Sequence, residues 1–81
     1  MQHEFNFVGK SLAKFRRQRG WTIEDLVVKL ELIGCQITPE ILADIETGRC
    51  FATDAQIVLF SEVLQVPIKD FSNRRPRKSN D

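Results

Sequence analysis

Apolar residues recur along this chain at helical spacing, in blocks separated by glycine, threonine or proline. Val8, Leu12 and Phe15 repeat four and three apart, while Lys10, Lys14 and Arg17 take the opposite side. That spacing predicts an amphipathic helix over 8–19, ended by Gly20. Thr22 opens a second helix, and Asp25 three residues on completes a variant of the capping box. Leu26, Val27 and Leu30 form its inner stripe, with Ile33 near the end and Gly34 as the stop.

A third helix, over 38–47, has both ends marked. Thr38 is a good N-cap because its hydroxyl can accept from an early N–H that has no partner in the helix. Pro39 follows at the first helical position, where its missing N–H costs nothing. Leu42 and Ile45 share a buried face, and Gly48 supplies the left-handed residue that ends the helix. A fourth helix starts at Thr53 and Asp54 and runs to Leu64, burying Ile57, Phe60, Val63 and Leu64. The consecutive Ile57, Val58 and Leu59 could suggest a strand, but the cap and the length favour helix. Pro67 opens a last turn that folds Ile68 and Phe71 back on the core. Trp21 is expected to wedge between the first two helices. Five short helices with brief connections predict a compact all-α domain over 8–71, between an arm (1–7) and a basic, disordered tail (72–81).

Composition adds little until charge is followed along the chain. With 81 residues there is room for one small domain, whose core alone is marginal, so a partner would help. The net charge of +1 hides a segregation. Residues 1–20 carry five bases against one acid, residues 21–70 three against nine, and residues 71–81 four against one. Basic ends suit phosphate contact. No apolar run approaches the roughly 18–20 residues of a membrane span, and no secretory signal is recognisable, so the expected location is cytoplasmic. Cys35 and Cys50 lack the spacing of a disulfide framework or a metal site. The single histidine, His3, has no nucleophile to serve, and no phosphate-cradling loop is present. Neither an enzyme nor a cofactor is expected.

The run Arg16-Arg17-Gln18-Arg19-Gly20-Trp21-Thr22 (R-x-x-x-G-x-T) precedes the acidic start Glu24-Asp25-Leu26. Ile45-Glu46-Thr47-Gly48-Arg49 (I-E-x-G-R) closes the third helix, and Leu64 to Phe71 close the domain. In that order the ensemble resembles the Cro and phage-repressor type of helix-turn-helix family, also called the xenobiotic-response-element family, over about residues 8–71. The resemblance implies a lambda-repressor-like fold, a repressor-like role in transcription regulation, and binding to double-stranded DNA as a homodimer. It implies a structural ion pair between Arg16 and Glu46. It places phosphate contacts at Thr22 and Arg49, and base contacts on the third helix at Thr38, Pro39, Glu40, Ile41, Ala43 and Asp44.

Three departures stand against it. Ile23 replaces the glutamine usual after the second helix's cap. The connection between Leu26 and Glu46 is about five residues longer than the commonest pattern. Major-groove readout favours Arg, Lys, Asn or Gln, whereas Glu40 and Asp44 are acidic. Bases elsewhere can supply phosphate affinity: Lys10, Lys14, Arg17 and Arg19 on the first helix, and Arg74, Arg75, Arg77 and Lys78 in the tail. The rival expectation is a helix-turn-helix fold reused as a protein-interaction module, its acidic third helix meeting a basic partner.

Overall fold

The computed structural model describes residues 7–72. The chain is all-α: α1 (Phe7–Gln18), α2 (Ile23–Leu32), α3 (Pro39–Thr47), α4 (Asp54–Leu64) and α5 (Lys69–Ser72). Among the described residues there is no strand, and no helix is long and apolar enough to cross a membrane. The expected N-terminal arm lies outside the described residues except for Phe7, which begins α1. The expected tail does too, except for Ser72, which ends α5.

Each longer helix after the first begins at a threonine. Thr22, Thr38 and Thr53 have extended backbones, and their hydroxyls accept from Asp25, Ile41 and Gln56 amides at 3.0–3.1 Å. Asp25 and Gln56 reach back to the amides of Thr22 and Thr53, both at 2.9 Å, completing two capping boxes. Gly48 ends α3 at φ 85°, where a side chain would be strained. Gln65 takes the same left-handed role after α4 at φ 59°, and Ser61 closes that turn by donating to the Val66 carbonyl at 2.8 Å.

The core forms where α1 meets α3, α4 and α5, and where α2 meets α3 and α4. Leu12, Leu26, Leu30, Leu42, Phe60, Leu64 and Phe71 are fully buried, with Cys35 and Ile37 packing in from the α2–α3 connection. Phe71 stands edge-on to Phe15, ring centroids 5.5 Å apart, so α5 is held by one aromatic anchor.

Two residues assigned to the core are not in it. Ile33 is 39% exposed because the chain leaves helical geometry there (φ −110°, ψ 18°), so its spacing from Leu30 no longer projects onto the inner face. Ile68 is 45% exposed, since the four-residue α5 fills its one slot with Phe71. Trp21 does pack against the core, half-buried, with the Lys29 ammonium 4.6 Å from its ring.

Candidate nucleic-acid interface

The inner side of α3 is fixed by two features of α1. Arg16 donates from Nε to Glu46 Oε2 at 2.7 Å and from a terminal nitrogen to Oε1 at 2.9 Å, while its third bond goes to the Trp21 carbonyl at 2.8 Å. The two side chains are only 10% and 6% exposed. This bidentate pair is the one implied by the R-x-x-x-G and I-E-x-G runs. Hydrogen bonding to Glu46 holds the Arg16 guanidinium above its ordinary pKa despite burial, so it stays charged. The second feature is Gly9. A Cβ there would lie 2.1 Å from the Ile45 carbonyl oxygen and 2.9 Å from that of Glu46. The two backbones therefore cross as closely as glycine permits. Nothing in the sequence marks Gly9, which sits inside a helical run where nothing local requires a glycine.

The outer side of α3 is open. Thr38, Glu40 and Thr47 are exposed, Ile41 is 42% exposed, and Ala43 and Asp44 are half-exposed. The amino end of α3 lies beside that of α2. Thr22, Ile23 and Glu24 face Pro39, Glu40 and Ala43 across a shallow groove, with Arg16 as the remaining lining residue. Four of the expected contact residues (Thr22, Pro39, Glu40 and Ala43) thus share one groove. Ile23 and Glu24, which the sequence marks only as a departure from the family pattern and as part of a helix start, join them.

Other expected residues stand apart from this groove. Thr38, Ile41, Asp44 and Arg49 do not line it. Arg49 is 76% exposed, and its nearest approach to Asp44 Oδ1 is 3.9 Å, a loose surface pair worth little. Lys10 and Arg17 lie on the solvent face of α1, with Lys14 between them 5.5 Å from the Phe15 ring. Arg74, Arg75, Arg77 and Lys78 lie outside the described residues. Arg19 has a different employment from the one expected. Its guanidinium donates to the Phe15 carbonyl at 3.1 Å and to the Leu64 carbonyl, tying the end of α1 to the end of α4. A cation there complements the negative pole of α4.

The groove's electrostatics are mixed. Two helix amino ends supply positive poles and free N–H groups that suit an anion. Glu24, Asp25 and Glu40 add carboxylates in the same first turns. The Asp25 carboxyl is held below the usual range, chiefly by the Thr22 backbone N–H. Cys35 is buried, which pushes its thiol pKa up, and Cys50 is half-buried; both are free. Among the described residues no group of three or more His, Cys, Asp or Glu is placed to hold a metal ion. No protein-family model, curated protein or solved structure matches this chain.

Proposed function

We propose that this protein is a small DNA-binding regulator that presents α3 to the major groove of a duplex, in the manner of a lambda-repressor-like helix-turn-helix. One observation carries the reading. The inner side of α3 is clamped by Arg16 and Gly9, while its outer side is left uncovered by the described residues. A rigid helix with one free face, beside a second helix amino end, is the arrangement such docking needs. Phosphate affinity comes from the exposed Lys10, Lys14, Arg17 and Arg49 and from the tail bases. The acting form is a homodimer on two half-sites, because one domain of this size makes few contacts.

A second reading is favoured by one specific observation. Glu24 and Glu40 line the same groove, one from each helix, which suits a basic protein partner. Fluorescence titration of the full chain against random-sequence duplex at low salt separates the two. The regulator reading expects binding in the micromolar range, since non-specific affinities fall at about 10⁻⁴–10⁻⁶ M even at physiological salt. No binding at tens of micromolar overturns it in favour of the interaction module.

A further inference from the structure

The chemistry of the outer α3 stripe narrows what this helix can recognise; the inference rests on the duplex-binding reading above. At about 100° per residue, Leu42 and Ile45 define the buried side, and Glu40, Ala43, Asp44 and Thr47 fall opposite them. That stripe holds two carboxylates, one hydroxyl and the methyls of Ala43 and Thr47. The Thr47 hydroxyl turns inward to the carbonyls of Ala43 and Asp44, at 3.1 and 3.3 Å, so its hydrogen is committed to the helix. A carboxylate at neutral pH only accepts. No Arg, Lys, Asn or Gln stands on the stripe. The outer face of α3 therefore offers acceptors and methyl groups, and no free donor.

We infer that α3 selects cytosine, with Glu40 and Asp44 accepting from exocyclic amino groups and the Ala43 methyl meeting a thymine methyl beside them. The exclusions follow from what each base shows in the major groove. Guanine presents two acceptors and thymine one, and both repel a carboxylate. Adenine presents an amino group next to the N7 acceptor, which repels the second oxygen. Cytosine alone presents an amino group with no acceptor on its own base: its C5–H edge lies on one side, and only the paired guanine O6 lies on the other. Among the described residues no cation lies within 4 Å of Glu40, and Asp44 has only Arg49 at 3.9 Å, so both carboxylates are available. Side chains four apart on a helix stand about 5–6 Å apart. Bases along one strand rise about 3.4 Å each. The two selected cytosines should therefore lie one or two steps apart.

Selection from a random duplex pool with the full chain, repeated with Glu40→Gln and Asp44→Asn, tests this. Both positions face solvent, so neither change reaches the core. The wild type should enrich sites with two cytosines fixed at that spacing, each preferred by roughly fivefold or more. Gln and Asn pair with adenine, so each variant should change one of these positions from cytosine to adenine and leave the other. The identity of the selected base is the readout, because removing a negative charge raises affinity for any duplex. Wild-type enrichment of A·T pairs at these positions, or variant motifs identical to the wild type's, overturns the inference and leaves duplex binding standing. Retention of no duplex by the wild type overturns both.

Discussion

Glu46 accepts two of the three hydrogen bonds that Arg16 donates, and both side chains are nearly out of water. Glu46→Ala leaves a buried guanidinium with one of its three bonds, and should cost about 3–5 kcal/mol in urea unfolding. A loss below 1 kcal/mol would show that the pair does not hold α3. Replacing both partners by apolar residues of similar volume should recover much of the loss. At Gly9 two effects compete. Alanine is the better helix former by about 1 kcal/mol, yet its Cβ would sit 2.1 Å from the Ile45 oxygen. Sterics win, and Gly9→Ala should lower stability by roughly 1–3 kcal/mol; a rise in the melting temperature would refute the close crossing. These two sites also mark what a sequence can disclose at this scale. The Arg16–Glu46 pair was legible only through the family resemblance that the two short runs carry. Gly9 was not, because a close approach belongs to two helices at once and leaves no mark on either alone.

At the level of elements, the caps were the clearest signals. Thr22, Thr38 and Gly48 do what their side chains, or the lack of one, dictate, and the start of α4 follows Thr53 for the same reason. Ile33 departs from expectation because periodicity assumes that the helix continues, and α2 ends at Leu32; Ile68 does so because it precedes the short α5, whose inner slot Phe71 fills. The α2 cap also gives the chain an acid-sensitive joint. The Thr22 N–H stabilises the charged Asp25 carboxylate in the folded state only, so its folded pKa is depressed. The resulting stability is fully present above the unfolded value, about 3.9, and is lost as pH falls through the folded value. Asp25→Asn should therefore melt below the wild type at pH 7, with the difference shrinking at pH 3. Equal differences at both pH values would show that ionisation of Asp25 contributes nothing to the cap.

Over the whole molecule, charge is arranged by region. Residues 21–70 carry nine acids against three bases, flanked by basic stretches. The all-α class and the order of helices were legible from spacing. The side of α3 that would meet a partner could be marked out by position, but the acidic groove it shares with α2 depends on tertiary placement. Charge reversal there separates the partners. The Glu40→Lys, Asp44→Lys double variant should bind random-sequence duplex at least tenfold more tightly at low salt, with a steeper salt dependence from any added phosphate contact. Weaker binding of that variant to random-sequence duplex would mean that α3 does not face the groove of DNA.

The residues that seat α3 and the residues it displays are different sets. Leu42, Ile45 and Glu46 do the first task; Glu40, Ala43, Asp44 and Thr47 do the second. Such a helix behaves as a cassette. Its displayed letters can be rewritten, by drift or by an engineer, without renegotiating the scaffold that carries them.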